Sequence, residues 1–170
     1  SNKEEFDVDV EYNSTNVVFS FDNFMIICRL VEGKYPNYEA AIPKDNPNKL
    51  TLDRSTFINT LKRVSLFANQ STWQVRLSIR ERELQITSED LEFSNKGQET
   101  IPCNYEGEPM DIGFNARFLT EMVSNLDTNE ILIELSHPSH AGIIFPINND
   151  EETSKNEDIL MLVMPVMLAN

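Results

Sequence analysis

A repeat narrows the fold more than any other feature of this chain. Phe57, Ile58 and Leu61 recur as Phe118, Leu119 and Met122, each 61 positions later. Both triplets have the spacing of one face of a helix. Residues 49–52 read as a short strand, Asp53 as a helix N-cap, and 54–68 as a helix whose core stripe is Phe57, Ile58, Leu61, Val64 and Ala68. Alternating strands follow at 72–80, 84–88 and 97–105. The pattern then restarts, with a strand at 110–114, an N-cap at Asn115, a helix to about residue 126, and strands at 131–135, 141–147 and 159–166. The order is β-α-βββ followed by β-α-βββ. Such a duplication predicts an α+β domain with a pseudo-two-fold axis, two helices lying together against antiparallel sheets.

Upstream, Phe6, Val8, Val10 and Tyr12 alternate with Asp7, Asp9 and Glu11, and two more β-rich runs at 17–21 and 24–31 complete a meander. Three strands cannot close a core alone, so residues 1–38 are expected to be the C-terminal remnant and linker of a preceding copy of the domain. Residues 39–170 are expected to form the complete domain. Between them, residues 32–47 hold Gly33, Pro36, Pro43 and Pro47 and read as an extended connector.

Charge is unevenly distributed. The formal net charge is -14, yet Arg54, Lys62, Arg63, Arg76 and Arg80 span a stretch with no acid at all. An acidic body repels nucleic acid, whereas an embedded basic element can meet phosphates. Lys62 and Arg63 face away from the core stripe of the first helix. Leu66 also points away from that stripe and Phe67 lies at its margin, leaving two large apolar groups poorly covered.

Cys28 and Cys103 lack metal-ligand or disulfide spacing, which fits a reducing cytoplasm. No secretory leader is apparent, and the apolar run 159–168 is half a membrane span and contains Pro165. Neither secretion nor membrane insertion is expected. His137 and His140 sit in a predicted turn without an accompanying carboxylate, so a solvent-exposed loop is expected rather than a metal site. No glycine-rich phosphate loop or nucleophile elbow occurs among only five glycines. No cofactor and no catalytic residue are expected.

The chain resembles the bacterial DNA sliding clamp, the beta subunit of DNA polymerase III. The resemblance rests on Arg29-Leu-Val-Glu-Gly-Lys-Tyr-Pro-Asn-Tyr38 with Ile42-Pro43, Gln74-Val-Arg-Leu77, Asp111-Ile-Gly-Phe-Asn115 and Val163-Met-Pro-Val-Met-Leu168, in order and at the family's spacing. It covers nearly the whole chain. It implies the end of the middle domain plus all of the third domain of a homodimeric ring, a cytoplasmic, non-catalytic processivity factor encircling duplex DNA. Lys62, Arg63 and Arg117 would then line the DNA channel, and Leu66 and Phe67 would meet the partner subunit. The DNA polymerase III catalytic subunit, clamp loader and repair polymerases would dock through short peptides in an apolar groove. By resemblance that groove comprises Pro36, Ala41, Thr72, Asn115, Phe118, Ser139, Ala141 and Leu162, Val163, Met164, Pro165, Val166, Met167 and Leu168.

Chemistry independently favours the end of the chain as a binding element. Pro165 cannot donate to a sheet ladder, so the residues after it should leave the sheet. Methionine offers an adaptable surface to different peptides. Ala40, Ala41 and Thr72 depart from the larger arginine, valine and aromatic residues common in the family, which implies a wider groove. The rival expectation is a β-rich interaction domain that does not bind DNA.

Overall fold

The computed structural model describes residues 7–147 and 159–168. The chain forms two units, Ser1–Asn37 and Tyr38–Asn170. In the first, β1 (Asp9–Tyr12), β2 (Asn16–Phe21) and β3 (Phe24–Arg29) make an antiparallel sheet in the order β1-β2-β3. Asn13 shapes the first turn, its Oδ1 accepting from the Thr15 and Asn16 amides at 2.8 Å each. Asp22, at φ 48°, makes the second, where a short polar side chain tolerates the left-handed region. Val10, Tyr12, Phe24, Met25, Ile26 and Ile27 remain exposed.

The second unit contains β4 (Asn48–Asp53), α1 (Arg54–Val64), β5 (Gln74–Ile79), β6 (Glu83–Asp90), β7 (Asn95–Pro102), β8 (Asn104–Glu106), β9 (Met110–Asn115), α2 (Ala116–Ser124), β10 (Glu130–Leu135), β11 (Gly142–Ile147) and β12 (Met161–Val163). They build two antiparallel sheets, β12-β11-β10-β4-β8 and β7-β6-β5-β9. The duplicated order is present, with one feature absent from the sequence reading. Each half gives its first strand away: β4 pairs with β10 of the second half, and β9 pairs with β5 of the first.

Alternation decides which faces meet. Along β5, Val75, Leu77 and Ile79 are buried, and along β10, Ile131, Ile133 and Leu135 are. Leu61, Phe57, Leu119 and Val123 from the helices join these strands in one continuous core. The helices pack on each other, and α1 also packs on β6 and β7. Asp53 caps α1 by accepting from the Thr56 amide at 2.7 Å. The Thr56 hydroxyl first, then this amide contact and the Ser55 hydroxyl, hold its carboxyl below the usual range.

Three expected boundaries need correction. The first helix ends at Val64 rather than Ala68, and Ser65–Phe67 tightens into a 3-10 turn that keeps Ala68 buried. The expected strand 97–105 breaks at Cys103: Pro102, lacking an N–H, closes β7, and the chain crosses to the other sheet as β8. Residues 159–166 contribute only Met161–Val163 to β12, because Pro165 follows. The acidic stretch 148–158 lies outside the described residues. Among the described residues no helix is long and apolar enough to cross a membrane.

Candidate functional site

At the start of α2 the backbone is fixed by one side chain. Asn115 Oδ1 accepts from the amides of Arg117 (3.0 Å) and Phe118 (3.2 Å), while its Nδ2 donates to Thr72 O at 2.9 Å. This cap ties the helix to the entry of β5. It also sets the direction of Phe118, which is 63% exposed. Opposite it runs the chain end. Val163 pairs with Gly142 in β11, and then Val166 donates its N–H to Gly113 O in β9 at 2.9 Å. The tail thus leaves one sheet and bridges to the edge of the other. Glycine at 113 allows this approach: a Cβ there would lie 2.6 Å from Val166 O and 2.8 Å from Leu168 Cδ2. Gln74 Nε2 adds a bond to Met167 O at 3.4 Å.

Between α2 and the tail lies a groove of about 500 Å³. Asn115, Phe118, Glu121, Met122 and residues 162–166 line it. Such a surface is predominantly apolar with few polar groups, the composition of a ligand cleft. Of the expected groove residues, the fold brings together Asn115, Phe118, Leu162, Val163, Met164, Pro165 and Val166. Glu121 and Met122 were missed. They stand three and four positions after Phe118, so helical spacing alone would have found them.

The other expected groove residues of the second unit do not line this cleft. Pro36 belongs to the first unit. Ala41 follows the 3-10 turn Tyr38–Ala40, its amide bonded to Tyr38 O. Thr72 contributes its carbonyl rather than its exposed side chain. Ser139 is exposed in the turn between β10 and β11, bonded to His137 Nδ1, and Ala141 is buried at the end of that turn. Leu168 packs on Gly113, and Met167 is 81% exposed. The expectation that the tail leaves the sheet therefore needs refinement, since it departs from β12 only to dock on β9.

The basic stretch also changes character. Arg63 makes a two-pronged pair with Glu99, at 2.8 Å and 2.7 Å. Hydrogen bonding to Arg63 lowers the Glu99 pKa, and the same contact raises that of Arg63. Arg76 and Arg80 share Asp111, and Arg54 donates to Thr128 O at 2.6 Å. Of the five bases in the acid-free stretch, only Lys62 has a side chain that makes no hydrogen bond or ion pair among the described residues. Arg117 lies over the Trp73 ring, 3.5 Å from its centroid. Trp73 itself adopts φ 51°, a conformation a bulky residue rarely takes, at the turn that presents its ring to Arg117.

Leu66 and Phe67 are 73% and 42% exposed, and the Phe67 ring lies over Gly97 of edge strand β7. Leu91 and Phe93, in the β6–β7 turn, are exposed as well and were not singled out in the sequence. Among the described residues there is no group of three or more metal-ligating side chains.

Two exchanged antiparallel sheets, a helix pair and an apolar groove beside the chain end place the fold with the sliding clamps. A crystal structure of a DnaN sliding clamp (DNA polymerase III subunit beta) from Bartonella birtlesii, bound to griselimycin, matches with a TM-score of 0.85 at 29% identity, over 95% of this chain and 41% of that one. A Pseudomonas aeruginosa sliding clamp matches in fold with a TM-score of 0.87 at 22% identity, over 98% of this chain and 43% of that one. The Beta sliding clamp of Synechococcus elongatus is 28% identical over 158 residues, 92% of this chain and 40% of the relative. The chain thus spans about two-fifths of the length of such relatives. It belongs to the family of the DNA polymerase III beta subunit, C-terminal domain, whose model matches residues 39–166. That subunit is a non-catalytic part of the polymerase.

Proposed function

We propose that this chain serves as the partner-docking end of a sliding clamp, tethering a replicative DNA polymerase and other replication or repair proteins to duplex DNA in the cytoplasm. In this reading residues 1–38 close the middle domain and residues 39–170 are the third domain of a homodimeric ring. Short apolar peptides of the polymerase catalytic subunit, the clamp loader and repair polymerases enter the groove between Phe118 and the tail. The single observation that carries the reading is that groove, because the exposed Phe118 and the exposed Met164 of the tail line it without adding to the domain's own core. Leu66 and Phe67 pack on the partner subunit, which accounts for their exposure.

DNA is held by encirclement rather than base recognition, so a diffuse positive wall suffices. Lys62 supplies free charge, whereas Arg63 and Arg117 reach phosphate only by exchanging their present partners. That engagement favours, as a second reading, an interaction domain that does not touch DNA. Two titrations separate the readings. A labelled polymerase-derived clamp peptide should bind and should lose affinity on deletion of residues 166–170; no binding at high micromolar concentration sinks both readings. Duplex DNA at low salt should bind the chain weakly and lose affinity on Lys62→Glu; indifference to that charge reversal leaves only the second.

A further inference from the structure

The groove carries one ionisable side chain, and it has no partner among the described residues. Among the lining residues only Glu121 is titratable, the rest being Asn115, Phe118, Met122 and the run 162–166. No hydrogen bond or ion pair engages its carboxylate among the described residues; its backbone oxygen accepts from Asn125 Nδ2 at 3.0 Å. Arg117 stands one helical turn earlier, the position from which a cation on the same helix pairs with an acid. Instead its guanidinium is stacked on Trp73 at 3.5 Å. The cation nearest in sequence is thereby withdrawn, and the carboxylate is left facing the groove rim.

We propose that Glu121 selects the groove's occupant by charge, favouring a peptide segment that places a lysine or arginine against this carboxylate and rejecting one that places an acid there. The proposal rests on the peptide-groove reading above and deepens it by naming the chemistry of the segment. A peptide filling the apolar cleft removes water from one side of the carboxylate, which weakens its hydration without replacing it. A basic side chain restores the lost interaction. An acidic one adds repulsion to the desolvation, so discrimination works through rejection as much as attraction. The chain's net charge of -14 acts in the same direction over longer range, since it raises the local concentration of cationic segments. Glu121 is exposed, so the preference is modest and sensitive to salt.

The test uses the whole chain and a labelled polymerase-derived clamp peptide in which lysine, glutamine and glutamate are placed in turn at each position. At one position the order of affinity should be lysine, then glutamine, then glutamate, with about three- to fivefold between the extremes at ~0.05 M salt, shrinking at ~0.5 M. Glu121→Lys should reverse that order at that position alone. Glu81→Lys, the same charge change in the β5–β6 turn, should leave the order intact. If the parent peptide binds but no position changes its preference in Glu121→Lys, the charge-selection proposal is wrong and the groove reading stands. Failure of every peptide to bind overturns both.

Discussion

Replacing Gly113 by alanine tests how the groove is held together. The new methyl would sit 2.6 Å from Val166 O and 2.8 Å from Leu168 Cδ2. Carbon atoms pack at ~3.5–4.0 Å, so the tail must retreat by roughly 0.7 Å or more. β9 is held by six paired residues of β5, whereas Val166 is held to it by a single bridge, so the tail moves and the strand stays. Retreat stretches the 2.9 Å bond from Val166 N–H past useful geometry, a net loss of about 0.5–1.5 kcal/mol. In the opposite sense, alanine restricts the unfolded chain and contributes roughly 0.4–1 kcal/mol to global stability. The two effects nearly cancel in urea unfolding, but not locally. Hydrogen exchange at the Val166 amide should quicken about two- to tenfold while the β5 amides keep their protection. Peptide affinity should fall in parallel, because Val166 and Pro165 form one wall of the groove. Unaltered exchange at Val166 in a folded Gly113→Ala protein would refute the reasoning. So would a loss of protection spread evenly over β5 and β9.

Other outcomes follow from the same geometry. Phe118→Ala should change unfolding free energy by less than about 0.5 kcal/mol yet weaken the clamp peptide about tenfold or more, whereas Phe57→Ala, at the equivalent but fully buried position, should cost about 3–5 kcal/mol. Asp53 has a folded pKa below its ordinary 3.8, so its carboxylate stabilises the fold above that value and the contribution disappears as pH falls through the lowered one. Denaturation of wild type and Asp53→Asn should therefore differ at pH 5–7 and converge in stronger acid; a gap that widens on acidification contradicts the cap assignment. Glu99→Gln releases Arg63 and should steepen the salt dependence of duplex DNA binding, by up to about 0.9 in log–log slope, if that arginine faces phosphate. An unchanged slope, read by fluorescence anisotropy, places Arg63 away from DNA.

The legible part of this molecule was whatever a local period encodes. The matched triplets at 57–61 and 118–122 announced two helices of one duplicated pattern, and Asp53 and Asn115 marked where each begins. Long-range partnership left no such trace. Nothing near Arg63 or Arg80 in sequence foretells Glu99 or Asp111, so a stretch without acids looked more positive than the folded surface is. Repeat matching also concealed a difference. It set Phe118 and Met122 beside Phe57 and Leu61, yet the first pair faces the groove while the second is buried. Glu121 was overlooked because a lone acid on a helix face carries meaning only once its neighbours in space are known. Pro165 was expected to turn the residues after it out of their sheet, but the glycine that receives the departing tail, Gly113, lies far upstream of Val166 and in the other sheet.

The reciprocal gift of first strands makes the two halves interdependent. Severed between β8 and β9, around Gly107, the N-terminal piece would keep β4 beside β8 but without β10, and the C-terminal piece would keep β9 without β5. Each fragment would present an unsatisfied sheet edge whose natural complement is the other fragment. The domain should accordingly melt as one cooperative body, and its severed pieces should recover structure only when mixed.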